Sequence, residues 1–232
     1  MPRSARSVDF FRLWSADMAY VLGYWWADGY MYIKPSTTAH EIEFASIDRE
    51  HLELIAQTIG TTYHMRLVTK TSKCYEITYC SKEMYNDLLH LGGTPRKSRT
   101  ALMPIVPFEL LPHFIRGFVD GDGTLSWNGD RPIVQIYSAS SHLLTAMGSA
   151  IEKATGIPAP YLASNRKQFY IKWSTIRAKC LVAWLYEQNP GLALDRKAVI
   201  AADFLRWQPK KRPSVGTITD MMKLHFSAYL PF

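Results

Sequence analysis

Hydrophobic and polar positions follow two rhythms along this chain, and each predicts an element. Ala19 to Ala27 is the most apolar early run; Ser15 ahead of it suits a helix N-cap, and Gly29 fits just beyond the helix end. Period-two patterns predict strands near Tyr30–Lys34 and Glu41–Ser46, while Leu52, Ile55 and Ile59 share one face of a helix over Arg49–Ile59. A second hairpin, Tyr63–Thr69 with Cys74–Cys80, and a short helix, Lys82–Leu89, precede Gly92-Gly93. The same order then returns. Leu111–Gly121 is helical, Leu125–Trp127 and Ile133–Ser138 are strands around Asn128-Gly129, and His142–Ala154 is helical. Strands Tyr161–Ser164 and Phe169–Trp173 follow, then helices Ile176–Glu187 and Arg196–Trp207; the tail after Pro209 receives no element. The class is α+β, built from antiparallel hairpins.

The repetition extends to individual residues. Gly23, Asp28 and Gly29 recur as Gly117, Asp122 and Gly123, each 94 positions later. Lys73–Tyr79 relates to Lys167–Trp173 at the same offset, and Ile42–Ser46 to Val134–Ser138 at 92. Two halves of similar pattern are expected to pack around a pseudo-twofold axis. The boundaries read from the repeat are residues 1–93 for the first half, a connector over 94–107 within the Gly-, Pro- and base-rich stretch Gly92–Pro107, a second half over 108–208 and a tail over 209–232.

The chain's 232 residues are enough to bury a core without staples, and a hydrophobic fraction of 47% excludes a disordered chain. A net charge of +7 favours a polyanionic partner. Cys74, Cys80 and Cys180 form neither a disulfide framework nor a zinc pattern, which suits a reducing, intracellular compartment. No apolar stretch suits a signal peptide or a bilayer span, so a soluble protein without a membrane partner is expected. There is no phosphate loop of the nucleotide-binding kind, and the seven histidines lack metal-ligand spacing.

Small residues at Ala19, Gly23 and Ala27 match His113, Gly117 and Gly121 in the second half. Such stripes let two helices approach closely, so Ala19, Gly23, His113 and Gly117 are expected in the interface between the motif helices. Asp28 and Asp122 then end those helices, where the macrodipole disfavours an acid. A single such aspartate would be read as capping a turn. Two at repeat-equivalent positions point instead to Mg²⁺ ligation and phosphodiester cleavage. The hairpins add Lys34, Tyr63, Arg66, Lys73, Tyr75, Arg131, Gln135, Tyr137, Asn165, Arg166, Lys167, Gln168, Tyr170 and Lys172, a mixture that neutralises phosphates and reads base edges. Strict alternation would leave only part of that set on one face.

Val21-Leu-Gly-Tyr-Trp-Trp-Ala-Asp-Gly29 and Ile115-Arg-Gly-Phe-Val-Asp-Gly-Asp-Gly123 resemble the two signature motifs of the LAGLIDADG homing endonucleases. The first departs from the pattern at Trp26, where an acid usually stands. The resemblance implies tandem αββαββα halves, two antiparallel sheets forming a DNA-binding saddle, and motif helices packed at the centre. It implies a monomer that cuts both strands of a long asymmetric double-stranded site across the minor groove, leaving 3′ overhangs, in the setting of intron mobility. Asp28 and Asp122 match the family's metal-binding acids, with the backbone carbonyls of Ala27 and Gly121 as further ligands. Lys97 in Thr94-Pro-Arg-Lys-Ser98 and Lys197 in Asp195-Arg-Lys-Ala198 resemble the basic residues that approach the reacting phosphate. Ser46 and Ser138 stand near positions that order water. An intron RNA maturase and a non-catalytic DNA-binding regulator are the alternatives within the same fold.

Overall fold

The computed structural model describes residues 9–60, 63–68, 74–165, 168–211, 213 and 216–231. Ser15 Oγ accepts from the Met18 backbone N–H at 3.1 Å, and helix α1 runs from that cap over Ala16–Asp28. Strand β1 (Gly29–Ile33) starts without a linker and pairs antiparallel with β2 (His40–Ser46). Helix α2 covers Arg49–Ile59; β3 (His64–Leu67), β4 (Tyr75–Cys80) and α3 (Lys82–His90) follow. The connector is irregular apart from a short 3₁₀ turn at Lys97–Arg99, and a second 3₁₀ turn, Phe108–Leu110, leads out of it.

Helix α4 (Leu111–Asp122) leads directly into β5 (Gly123–Asn128), β6 (Arg131–Ser138), α5 (Ser141–Thr155), β7 (Ala163–Asn165), β8 (Gln168–Ser174) and α6 (Thr175–Val182). The apolar pattern predicts one helix to Glu187, but α6 gives way at Val182 to a π-helical turn over Ala183–Glu187. Helix α7 spans Asp195–Arg206. The tail, unassigned by pattern, forms α8 (Asp220–Phe226), capped by Thr219, whose hydroxyl also donates to the Gly156 carbonyl at the end of α5 at 2.8 Å.

Each αββαββα set builds one four-stranded antiparallel sheet, ordered β1-β2-β4-β3 in the first and β5-β6-β8-β7 in the second. Packing divides the chain into two compact units, Met1–Gly121 and Asp122–Phe232. The division falls at the C-terminal end of α4, so the helix that opens the second sequence repeat packs with the first unit. In the first unit Met31, Ile42, Phe44, Ile77 and Tyr79 line one side of the sheet and are buried, as are Leu52, Ile55 and Ile59 of α2. In the second, Val134, Ile136, Ile171 and Trp173 take the same place, with Leu143, Leu144, Met147 and Ile151 buried on α5.

Inside the first unit α1 and α4 meet backbone to backbone. A Cβ on Gly23 would lie 2.8 Å from the Phe114 carbonyl carbon and 3.0 Å from Phe118 N; one on Gly117 would lie 2.9 Å from both the Tyr20 carbonyl carbon and Tyr24 N. Ala19 is fully buried. His113 is buried too, with its Nδ1 2.9 Å from an Arg116 guanidinium nitrogen, so it serves its own helix rather than adding a small-residue contact. Gly29 is extended (φ −81°), not left-handed, and its missing side chain is required because a Cβ would strike the Trp25 indole.

Candidate active site and nucleic-acid interface

Asp28 is exposed at the end of α1, and the first strand begins at the next residue. Behind that step lies Lys97, only 6% exposed on its 3₁₀ turn. Its Nζ donates to the Gly29 carbonyl and sits 4.4 Å from the centre of the Trp25 ring, where the π face helps hold the cation. Asp122 occupies the corresponding end of α4 and is partly exposed. Within the second unit Lys197, 3% exposed in the first turn of α7, donates from Nζ to the Gly123 carbonyl at 2.7 Å. Each unit thus holds a buried ammonium on the carbonyl of the glycine after a motif position. The two lysines arrive from unlike elements, a 3₁₀ turn and a helix, so the shared contact is not a by-product of one local fold.

Ala27 and Gly121 lie in the last turns of α1 and α4, whose carbonyls lack intrahelical partners. A Cβ on Gly121 would approach the Ala27 Cβ at 2.5 Å and Asp28 Oδ2 at 3.6 Å, so glycine there keeps space beside the first acid. No cluster of three or more His, Cys, Asp or Glu side chains capable of holding a metal occurs among the described residues. A carboxylate reached by solvent, together with main-chain oxygens, fits Mg²⁺, which keeps several waters and takes ligands from substrate phosphates rather than needing an all-protein cage. Ser46 and Ser138 each serve the local backbone, because their Oγ atoms accept from the N–H two residues on, Asp48 at 3.1 Å and Ser140 at 3.0 Å.

Two features of the motif helices were not legible from spacing. Trp26, standing where the resemblance expects an acid, is buried and donates its indole N–H to the Leu102 carbonyl at 2.9 Å, tying α1 to the connector. Its counterpart Asp120 is 1% exposed and accepts from the Tyr20 hydroxyl at 2.7 Å, which in turn lies 3.0 Å from His51 Nε2. The Arg116 guanidinium stacks over the Tyr20 ring at 5.6 Å. Burial first, and then the Arg116 charge, hold the His113 pKa below its usual value.

Strand register decides which hairpin residues share a face. In the second sheet Gln135 pairs with Lys172, Tyr137 with Tyr170, Asn128 with Arg131, and Asn165 with Gln168. All lie opposite the buried row of Val134, Ile136 and Ile171, so every described candidate of this half shares the outward face. The first sheet behaves differently. Tyr75 lies on the helix side, its ring 5.8 Å from the Arg49 guanidinium of α2, and Tyr63 packs near buried Tyr79, so neither faces outward. The outward face instead carries Tyr30, Tyr32, His64, Arg66 and Thr78 with three glutamates, Glu41, Glu43 and Glu76. Tyr32 donates to Glu41 and, at 3.1 Å, to Glu43. Burial and the Glu76 charge raise the Glu43 carboxyl above its usual pKa. Lys34 reaches Glu41 at 3.4 Å and Arg66 reaches Glu76 at 2.6 Å. Lys73, Arg166 and Lys167 lie outside the described residues.

Neither a protein-family model nor a curated protein matches the sequence. Solved structures do. The homing endonuclease I-DmoI in complex with DNA and Mn aligns with a TM-score of 0.55 at 15% identity over 74% of this chain and 97% of its own. Meganuclease I-SmaMI bound to uncleaveable DNA aligns with a TM-score of 0.57 at 12% identity over 81% and 88%. The N-terminal LAGLIDADG domain of DUF199/WhiA aligns with a TM-score of 0.53 at 12% identity over 86% and 98%. The likeness covers most of this chain and nearly all of its neighbours: the chain has the fold of the single-chain LAGLIDADG homing endonucleases.

Proposed function

We propose that this protein is a divalent-metal-dependent, site-specific endonuclease that cuts both strands of double-stranded DNA. The observation that carries the reading is the repeated Asp-Gly step backed by a buried lysine, Lys97 on Gly29 and Lys197 on Gly123. A structural carbonyl needs no ammonium, and burying one twice against the same backbone position is costly unless its charge is used. Asp28 with the Ala27 carbonyl, and Asp122 with the Gly121 carbonyl, would each hold Mg²⁺ through hard oxygen ligands. A bound metal ion supplies charge neutralisation at the scissile phosphate and a more acidic water.

The chain's own part is to place that chemistry. The exposed carboxylates leave room for phosphate oxygens. The lysines, fixed from behind by carbonyl and, for Lys97, by the indole, add positive potential without moving when charge develops on the phosphate. The outward sheet faces orient the duplex, and their side chains select its sequence. We place the cut across the minor groove of a long asymmetric site, made by one chain as a monomer and leaving 3′ overhangs, in the service of intron mobility.

Incubation with a random double-stranded DNA library and Mg²⁺, followed by sequencing of the cut ends, tests this reading. A recovered consensus with defined ends on both strands is the expected result. Binding without cutting under Mg²⁺ or Mn²⁺ would sink it in favour of a non-catalytic regulator.

A further inference from the structure

The two outward sheet faces differ in a way that the net charge of the chain conceals. On the second sheet Arg131 and Lys172 stand among hydroxyls and amides, and no outward strand position among the described residues is acidic. On the first sheet the two cations among the described residues are already engaged by carboxylates on the same face, Lys34 by Glu41 and Arg66 by Glu76. Their carboxylate partners are about nine-tenths buried, with side chains 9% and 11% exposed, whereas Lys34 and Arg66 are 48% and 64% exposed. A held carboxylate cannot swing away to release its cation. The charged residues Lys34, Arg66, Glu41, Glu43 and Glu76 leave that face slightly negative.

Resting on the DNA-binding reading, we infer that the two units divide the interface unequally: the second unit's sheet face carries the phosphate-neutralising share of affinity, while the described residues of the first sheet contribute almost none. A phosphate that meets Arg66 meets a pair already neutral in sum, and drawing the guanidinium away from Glu76 would leave a largely buried carboxylate uncompensated. The acceptor left to that face is the half-buried Glu43, since Glu41 and Glu76 are held in their ion pairs. Carboxylates suit the cytosine N4 amino group, which is a donor in the major groove. The partner this face fits is therefore a duplex segment offering base donors, held in place by phosphate contacts made elsewhere.

The experiment is a salt titration of binding to a duplex of the cleaved consensus, with Ca²⁺ in place of Mg²⁺, and thermal melting of each variant as a folding control. Lys172→Ala should flatten the slope of log K against log salt by about 0.9 and weaken binding about fivefold near 0.15 M salt. Charge-neutral removal of a first-sheet pair, by Arg66→Ala with Glu76→Ala or by Lys34→Ala with Glu41→Ala, should leave the slope unchanged. Glu76→Gln keeps the shape and releases Arg66, so it should steepen the slope by about 0.9 and tighten binding to a random-sequence duplex. A loss of slope in either pair variant matching that of Lys172→Ala would overturn the inference, as would a Glu76→Gln protein that binds no tighter than wild type. Should wild-type protein show no salt-dependent binding at all, the DNA reading itself falls, and the two failures are distinguishable.

Discussion

Gly117→Ala adds one methyl group at the point where α4 touches α1, and the atoms that methyl meets are all backbone. The Tyr20 carbonyl carbon and Tyr24 N would each stand 2.9 Å from the new carbon, with the Tyr20 carbonyl oxygen closer still. Ordinary carbon contacts lie at about 3.5–4.0 Å. No side-chain rotamer can relieve the clash, so the helices must separate along the stripe and loosen Tyr20, Phe114 and Phe118, which are all buried. Overpacking of this kind costs about 3 kcal/mol at the upper end of the usual range. Alanine returns about 1 kcal/mol of helix propensity. The net loss is about 2 kcal/mol, which for a chain of this size lowers Tm by roughly 4–8 °C. Gly148→Ala is the matched control. It sits within α5, where a Cβ would find the Ala159 Cβ at 3.5 Å and the Ile171 Cδ1 at 3.8 Å, ordinary contact distances. That variant keeps the propensity gain and should melt a few degrees above wild type. Differential scanning calorimetry on the two proteins decides the matter: equal Tm values, or a Gly117→Ala protein as stable as wild type, would refute the close-packing account.

Asp28→Asn and Asp122→Asn should each lower double-strand cleavage by at least a hundredfold while leaving Ca²⁺-supported DNA binding nearly intact; a strand-specific cleavage assay beside a binding titration checks both. Lys97→Met and Lys197→Met, which keep the buried stem and remove the charge, should cut cleavage by one to two orders of magnitude with little change in binding affinity. Single-turnover kinetics at saturating protein isolates that loss. His113 has a folded-state pKa below the ordinary value near 6.5, so its neutral form is the one the fold favours. The unfolded chain therefore binds more protons below that pH. The His113 contribution is complete above about pH 6.5 and is lost as the pH falls through the lower folded value. Tm measured from pH 7.5 down to 5 should fall, and His113→Gln should flatten the descent.

Element order was legible in the sequence because α2, α5 and the central strands carry clean periodicities. Arg49–Ile59 is helical over the expected residues, while the strand ends differ by one to a few positions because edge residues carry little hydrophobic signal. The faces of the hairpins were not legible. Arg131, Gln135 and Tyr137 fall on odd numbers, and Gln168, Tyr170 and Lys172 on even ones. Only the pairing of 135 with 172 shows that both sets face outward. Tyr63 and Tyr75 resembled binding aromatics in composition, yet the same parity puts them beneath the sheet, against Tyr79 and Arg49. The engagement of Lys34 and Arg66 was equally invisible, since Glu41 and Glu76 come from different strands. Trp26 read as a departure from a motif; its bond to Leu102 depends on a connector path that no pattern specifies. The helical tail was missed because Asp220–Phe226 is too short for its periodicity to stand out.

The backbone contact between α1 and α4 also governs where related chains can be recombined. A chimera joined after residue 121 inherits both helices from one parent, so Gly23 still meets Phe114 and Gly117 still meets Tyr20. A junction in the connector, over 94–107, pairs an α1 and an α4 that were never selected together. It demands that both parents place their glycines in the same register, and a junction before residue 102 also breaks the inheritance of Trp26 with Leu102. Breeding new specificities by exchanging halves should therefore succeed more often at the end of the fourth helix than in the loop that looks like the natural seam.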